Sequence, residues 1–334
     1  ISGIRNDKSP YSLLSKHEDQ GFMPLDLYKK ILVHLNNLNL LPENKIIALS
    51  VWGEPFLHPQ INDILSVTAR LGLHAHIRTN LLHLPDLTPT SLRIISGTTL
   101  MLSGFTQTSY NLIFDGYLQT ALDNLNRYLQ MIKQANCTWR PIIDWKSYRF
   151  NEIERKAANT YFNRLGLELM PTVGKPDDFG DMIRYFVHKD DTGDNRNKIE
   201  QELFTEFLAE CIRRGQDPDY ICPQWSRLAL DTQANLLLCC AAPDPEMKNN
   251  GILGSLFDLS LDELTRIHTT GQDCQTCRSG GLAKMPEIQK TGFTIDSYLQ
   301  VNPYHPTLEQ IAETVTKSHT QKKRTFSKKN QPLV

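Results

Sequence analysis

The sequence predicts an α/β fold with a parallel sheet, joined to a smaller C-terminal domain. Apolar runs of strand length alternate with stretches of helical periodicity over about residues 24–170. None of the seven cysteines precedes Cys137, and six of them lie after residue 170. With 334 residues, 40% of them hydrophobic and 22% charged, the chain is long enough for one large and one small domain.

The elements of the first part follow one another regularly. A helix is predicted from Pro24 to about Leu38, because apolar residues recur there at helical spacing and Pro24 suits a first turn. Five strands are then predicted at 46–52, 73–79, 98–103, 138–145 and 166–170. Helices are predicted between them at about 60–71, 89–95, 106–134 and 151–165.

Strands separated by helices imply right-handed crossovers and a parallel sheet. The alternation is compatible with an open doubly wound sheet and with a closed or partial barrel. In a barrel, a further strand is expected before residue 1. In either fold, ligands collect at the carboxyl ends of the strands, so the residues after each strand are expected to carry the chemistry.

The pattern changes after Met170. An acidic stretch rich in Gly and Asp covers residues 175–197, and a helix is predicted at about 199–213; together they are interpreted as a connecting segment. A hairpin is predicted from the apolar runs 228–231 and 236–239. The basic residues of 317–329 predict a solvated, disordered tail.

Charge gives little information about partners. The 36 Lys and Arg residues nearly balance the 37 Asp and Glu residues, so no global field favours nucleic acid or a membrane surface. No apolar run approaches membrane-spanning length, and the first twenty residues are unlike a secretory signal. We expect a cytoplasmic protein with no nucleic-acid or membrane partner.

The C-terminal cysteines are arranged as metal ligands. Cys274 and Cys277 form a Cys-x-x-Cys step, and Cys222 and the Cys239-Cys240 pair can supply further sulfurs from the hairpin region. Four thiolates suit zinc or an iron–sulfur cluster, and the spacing alone does not select between them. The alternative is that these cysteines are ordinary buried thiols.

The order of the motifs around these cysteines is similar to the SPASM/twitch auxiliary domain of radical S-adenosylmethionine enzymes. Ala234 stands where the family's hairpin usually has Gly, and Gly254-Ser255 replaces the usual Gly-Asn. The resemblance implies a single auxiliary 4Fe-4S cluster, since no cysteine follows Cys277. Only one of the adjacent Cys239 and Cys240 should reach it, and Cys239 is chosen. The implied ligands are Cys222, Cys239, Cys274 and Cys277.

The first part of the chain resembles the barrel of the same enzymes. The run Gly53-Glu54-Pro55 ends the first predicted strand and matches the family's Gly-Glu-Pro motif, whose carbonyls accept hydrogen bonds from the amino group of S-adenosylmethionine. Asn80 matches the Thr-Asn step after the next strand, and Ser103 stands where the family contacts the ribose. Each of these residues is also a common turn-former. No catalytic residue is assigned.

The family's catalytic cluster needs a Cys-x-x-x-Cys-x-x-Cys loop after the first strand, and this chain has no cysteine before Cys137. Because Ile1 is no natural translation start, we expect those cysteines and the first strand upstream of it. The expected fold is a partial (β/α)6 TIM-like barrel lacking its first strand, with a small C-terminal domain containing a β-hairpin. The expected boundaries are 1–174 for the barrel, 175–220 for the connection, 221–285 for the SPASM/twitch domain and 286–334 for the C-terminal extension.

By resemblance, the full-length protein is an enzyme that cleaves S-adenosylmethionine reductively and abstracts hydrogen from a peptide or a sugar-like small molecule. The auxiliary cluster would accept the substrate electron or hold the substrate, and an electron donor such as flavodoxin or ferredoxin is implied. One rival hypothesis is a non-catalytic protein with a degenerate barrel and a structural zinc site. Another is an ordinary α/β enzyme in which the motifs are coincidental.

Overall fold

The computed structural model describes residues 21–50, 53–176, 179–188, 199–239, 247–258 and 260–304. Several predictions lie outside the described residues. They concern the first twenty residues, the end of the first strand at Trp52, part of the acidic connection, Cys240 and the basic tail.

The larger sheet contains five parallel strands in the consecutive order β1-β2-β3-β4-β5. A doubly wound sheet reverses its strand order at a switch point, so the consecutive order contradicts that alternative. The α/β class and the parallel sheet are confirmed. The strands are β1 (Ile46–Ala48), β2 (His74–Thr79), β3 (Ile95–Met101), β4 (Ile142–Ser147) and β5 (Glu168–Val173).

Two strand boundaries differ from the predictions by several residues. β3 begins at Ile95, directly after a short helix, whereas the prediction began it at residue 98. β4 begins at Ile142 and not at residue 138. Pro141 precedes it and has no N–H to donate to a strand ladder, so pairing with β3 begins one residue later, at Ile142 opposite Thr99.

Six helices accompany the sheet, and most follow the predictions. The helices predicted within 106–134 are two, and the chain turns between them. The Gln107 side chain fixes this turn: its amide donates to the Gly116 carbonyl at 3.0 Å and its oxygen accepts from the Leu118 N–H at 2.9 Å. The helices are α1 (Leu25–Asn37), α2 (Ile61–Arg70), α3 (Pro89–Ile94), α4 (Gln107–Tyr110), α5 (Leu118–Gln134) and α6 (Arg155–Arg164).

Alternation along β2 shows that the two faces of the sheet differ. Ala75, Ile77 and Thr79 are fully buried on the face that the helices cover. His76 and Arg78, which alternate with them, are half-buried on the opposite face. The helix-covered face therefore holds the core, and the opposite face is polar and accessible.

The C-terminal part contains a three-stranded antiparallel sheet of β6 (Ala229–Leu230), β7 (Asn235–Leu237) and β8 (Ile252–Ser255). The predicted hairpin is confirmed as β6 and β7, and β8 adds a strand that the prediction lacked. The Asp231 carboxylate fixes the turn by accepting from the N–H groups of Gln233 and Asn235, each at 2.8 Å. Ala234 takes a left-handed conformation there, with φ of 66°.

The remaining helices belong to the C-terminal half of the chain, and the last of them packs against β5 of the larger sheet. The helix predicted at 199–213 is interrupted: residues 199–202 are helical, and the chain re-enters a helix only at Thr205. A π-helical stretch occupies Ile183–His188. The α-helices are α7 (Phe179–Met182), α8 (Thr205–Gly215), α9 (Leu261–Thr270), α10 (Gln272–Ser279), α11 (Met285–Lys290) and α12 (Ile295–Val301). Within the described ranges, no helix has both the length and the apolar character needed to cross a membrane.

Two buried hydroxyl pairs tie helices to the larger core. The Tyr128 hydroxyl on α5 lies 2.8 Å from the Thr98 hydroxyl on β3, and Tyr28 on α1 lies 2.7 Å from the Thr68 hydroxyl on α2. Thr68 also donates to the Ile64 carbonyl at 2.8 Å. The Thr68 hydroxyl therefore keeps a hydrogen-bond partner if the Tyr28 hydroxyl is removed.

We predict that Tyr128→Phe lowers the free energy of unfolding by about 1–2 kcal/mol, because it removes the hydrogen-bond partner of the buried Thr98 hydroxyl. Tyr28→Phe is the matched control and should cost less, since Thr68 retains its bond to Ile64. Urea denaturation of both variants checks the difference. Equal losses would contradict this account of the two pairs.

Candidate functional site

The loop after β1 is fixed by the buried carboxylate of Glu54. One carboxylate oxygen accepts from the Phe56 N–H at 3.1 Å, and the other accepts from the Asn80 N–H at 2.9 Å, so that the loop is tied to the end of β2. Glu54 is only 3% exposed. Its carboxylate therefore points into the fold, and a ligand of this loop would meet backbone carbonyls, each of which keeps a second lone pair. Gly53, half-buried, and Pro55, buried, complete the bend.

Asn80 and Ser103 stand at the ends of neighbouring strands, as the sequence predicts. The Asn80 side-chain oxygen accepts from the Leu82 N–H at 3.0 Å. The Ser103 hydroxyl accepts from the Lys146 N–H at 2.8 Å and lies 3.5 Å from the Asp144 carbonyl, which ties the end of β3 to β4. Both side chains are buried and already order the strand ends. The structure thus brings Gly53, Glu54, Pro55, Asn80 and Ser103 to one edge of the sheet.

The loop after Ser103 packs tightly against α4. Gly104 has a φ of 119°, and a Cβ atom there would lie 2.6 Å from the Tyr110 backbone nitrogen. The Glu154 carboxylate holds the same loop by accepting from the Phe105 N–H at 2.6 Å and from the Ser109 hydroxyl at 2.6 Å. Glycine is therefore required here by close approach, and Glu154 is a positioning residue for the loop.

A polar network on the accessible face lies behind these strand ends. Arg78 donates to Asp144 at 2.7 Å, and the Thr172 hydroxyl donates to the other oxygen of Asp144 at 2.8 Å. His76 lies 3.0 Å from the Thr99 hydroxyl. Burial lowers the pKa of His76, and the positive charge of Arg78 lowers it further. This network joins β2, β4 and β5 across the face opposite the helices.

All four predicted cysteine ligands line one cavity of about 430 Å³ in the C-terminal part. Cys274 and Cys277 lie one turn apart on α10 and so share a face of that helix. Cys222 precedes a short 3-10 helix that begins at Pro223, and Cys239 follows β7. The cavity therefore collects sulfurs from three separate segments. Its cysteines are Cys222, Cys239, Cys274 and Cys277.

The buried His268 on α9 holds one of these segments in place. Its Nε2 lies 2.9 Å from the carbonyl of Leu238, the residue before Cys239. The imidazole is also stacked on the Trp225 indole, with ring centroids 6.3 Å apart and planes 5° apart. The segment that begins at Cys222 and the segment that ends at Cys239 therefore both contact α9.

The donor set at the cavity fits a thiolate-bound metal centre. Burial, together with the nearby Cys222, raises the pKa of the Cys274 thiol to about 11, so a bound metal would have to displace its proton. Four cationic side chains and two carboxylates line the same cavity, and this excess of two positive charges favours an anionic group. These side chains are Lys175, Arg227, Arg278, Lys290, Asp273 and Glu287. Within the described residues, no three His, Cys, Asp or Glu side chains already stand close enough to share one metal ion.

Several residues of these sites were not identified from the sequence. Arg78 and Asp144 are 66 positions apart, and Ser109 and Glu154 are 45 positions apart, so no local sequence motif predicts that either pair is in contact. His268 lies in the helix that begins with Leu261-Asp262-Glu263-Leu264, but no role was predicted for the histidine itself. The alternation along β2 was the one available signal, because it places Arg78 on the same face as Asn80.

Solved structures with a similar fold were found. Polyhistidine-tagged anSMEcpe with bound AdoMet shares 13% identity, with 90% of this chain and 96% of that chain covered and a TM-score of 0.50. Native anSMEcpe with bound AdoMet shares 13% identity, with 91% of this chain and 98% of that chain covered and a TM-score of 0.49. Streptococcus suis SuiB bound to S-adenosylmethionine shares 12% identity, with 85% of this chain and 68% of that chain covered and a TM-score of 0.47. No protein-family profile matches the chain, and no curated protein matches it in sequence.

anSMEcpe and SuiB are radical S-adenosylmethionine enzymes. The likeness to anSMEcpe shows that the chain has the fold of this enzyme class, which confirms at the level of the fold the resemblance seen in the sequence.

We predict that Gly104→Ala lowers the free energy of unfolding by about 2–4 kcal/mol, because the new methyl group meets the backbone of α4. Gly72→Ala is the matched control. Gly72 also has a positive φ, of 68°, but a Cβ there meets nothing within 4 Å. The control should cost about 1 kcal/mol. Chemical denaturation measures both variants, and similar losses would contradict the close approach at Gly104.

Proposed function

We propose that the protein is a radical S-adenosylmethionine enzyme that carries one auxiliary 4Fe-4S cluster in its C-terminal part. When bound, S-adenosylmethionine would supply the radical chemistry that removes a hydrogen atom from the substrate. This chain's own residues bind and orient that cofactor at the strand ends and hold the auxiliary cluster. The fold that this proposal assigns to the chain is a partial (β/α)6 barrel followed by a SPASM/twitch domain.

One observation carries the proposal. Four cysteines from three separate segments line one cavity, in a chain whose fold is that of a radical S-adenosylmethionine enzyme. Ordinary buried thiols have no reason to converge, whereas cluster ligands must. The assigned ligands are Cys222, Cys239, Cys274 and Cys277.

The size of the cavity favours a cluster over the zinc alternative. Zinc binds four thiolates at about 2.3 Å and draws the sulfurs almost into contact. Many other side chains also line the cavity of about 430 Å³, and within the described residues no three metal-ligating side chains stand close enough to share one such ion. A cluster binds each thiolate through a different iron and so fills more space. The non-catalytic zinc protein remains the second candidate, because its donor set is the same.

The strand-end loops support the assignment of the cofactor site. The carbonyls of the bend at Gly53, Glu54 and Pro55 are the proposed acceptors for the amino group of S-adenosylmethionine. Asn80 and Ser103 stand at the adjacent strand ends and are proposed to face its remaining polar groups. Glu154 and Gly104 shape the loop that follows Ser103.

The substrate we propose is a peptide or a sugar-like small molecule. anSMEcpe has also been solved with bound AdoMet and the Kp18Cys peptide. For this chain, the polar face that bears Arg78 and Asp144 is the accessible surface next to the proposed cofactor site. Electron supply from a flavodoxin or ferredoxin stays a prediction.

We predict that anaerobic reconstitution loads about four irons and four sulfides per chain, with broad visible absorption. Replacing any one of Cys222, Cys239, Cys274 or Cys277 by Ala should remove most of this iron, because a buried cluster needs all four thiolates. Iron and sulfide analysis, with the absorption spectrum, measures the outcome.

Cys137→Ala and Cys211→Ala are the controls, since both cysteines lie away from the cavity, and both variants should keep the full iron content. Cys240→Ala tests which of the two adjacent cysteines binds the cluster, and this variant should also keep the full iron content. One zinc per chain without visible absorption would favour the second candidate, and full iron in the Cys239→Ala variant would overturn that ligand.

We predict that Glu54→Gln weakens binding of S-adenosylmethionine by at least about tenfold, which corresponds to about 1.4 kcal/mol. The amide replaces one acceptor by a donor and faces a backbone N–H, so the bend must move. Equilibrium dialysis with radiolabelled S-adenosylmethionine measures the affinity, and Glu43→Gln, at an exposed site, is the control. A Glu54→Gln protein that unfolds more easily but binds as tightly as the control would refute the cofactor site.

A further inference from the structure

Arg278 occupies a distinctive place at the cysteine cavity. It follows Cys277 on α10 and lines the cavity together with the four predicted ligands. Its guanidinium carbon lies 5.1 Å from the centroid of the Trp225 ring, and its Nη2 donates to the Thr269 carbonyl at 3.2 Å. The guanidinium is therefore held from two sides next to the sulfurs.

The packing of Trp225 makes this position rigid. The indole contacts two partners, the Arg278 guanidinium and the His268 imidazole that is stacked on it. His268 is 2% exposed and is itself held by the Leu238 carbonyl at 2.9 Å. Arg278 consequently has little freedom to turn away from the cavity.

One donor of this fixed guanidinium has no acceptor. The Nε atom of Arg278 is buried and has no hydrogen-bond partner among the described residues. Leaving a charged donor buried and unpaired costs free energy, so such a group normally has a partner in the functional state. An acceptor in the adjoining cavity would remove this cost, and the sulfur atoms of a cluster or of its thiolate ligands are acceptors of that kind.

We propose that Arg278 donates its Nε–H to a sulfur of the auxiliary cluster or of a ligating cysteine and thereby raises the cluster's reduction potential. The inference rests on the proposed function, because it requires the cluster. A hydrogen bond to sulfur and a nearby positive charge both stabilise the reduced form, which carries one more negative charge than the oxidised form. Arg278 thus makes the cluster a better acceptor of an electron.

The test is a spectroelectrochemical titration of the reconstituted chain. Arg278→Gln should shift the reduction equilibrium at least tenfold towards the oxidised cluster, which is a fall of about 59 mV for a one-electron couple. Arg278→Lys keeps the charge but lacks the Nε–H and should give a smaller fall. Arg227→Gln removes another cation from the same cavity wall and is the matched control, with a shift smaller than that of Arg278→Gln.

The outcomes separate this inference from the proposed function. Wild-type protein that binds no cluster would refute the proposed function itself. If the wild type loads fully and Arg278→Gln and Arg278→Lys change only the iron content, leaving the potential where it was, Arg278 has a merely structural role and the inference is wrong. If Arg278→Gln loads no cluster, the titration of Arg278→Lys decides, because an unchanged potential there contradicts the hydrogen bond and a lowered one supports it.

Discussion

The convergence of four thiols on one cavity is the constraint on which the account depends. It requires three segments to be held at fixed positions: the chain before the 3-10 helix at Pro223, the end of β7, and one face of α10. The buried contacts of His268 with Leu238 and Trp225 maintain two of them. These contacts therefore hold the segments of Cys222 and Cys239 against α9, on the wall of the same cavity.

Buried polar contacts also fix the loops at the carboxyl edge of the larger sheet. Buried polar side chains there bind backbone groups of the neighbouring strand or loop: Glu54 ties β1 to β2, Ser103 ties β3 to β4, and Glu154 holds the loop that follows β3. Each bond satisfies groups that would otherwise be buried without a partner. The result is an edge of ordered loops, at which a cofactor can be bound by backbone carbonyls with little reorganisation.

Local patterns were sufficient for much of this architecture. The helical spacing of Tyr28, Ile31 and Leu32 predicted α1, and the runs 228–231 and 236–239 predicted the hairpin. The spacing of the cysteines predicted their common site. The strand boundaries were less accurate, because Pro141 shifts the start of β4 and no local rule placed β3 directly against α3.

Pairs far apart in the chain could not be predicted in this way. Arg78 meets Asp144, and Arg278 meets Trp225, only once the larger sheet and the C-terminal part have folded. The same holds for the orphaned Nε of Arg278, since burial is a property of the whole fold. What the sequence contained was the set of chemical groups, and what the fold added was which of them face one another.

Iron X-ray absorption spectroscopy on the anaerobically reconstituted chain tests the central claim most directly. The account predicts iron surrounded by sulfur, with a strong iron–iron contribution from neighbouring metal atoms in a 4Fe-4S cluster. Iron bound by oxygen and nitrogen, or isolated iron in a sulfur site without an iron neighbour, would contradict it.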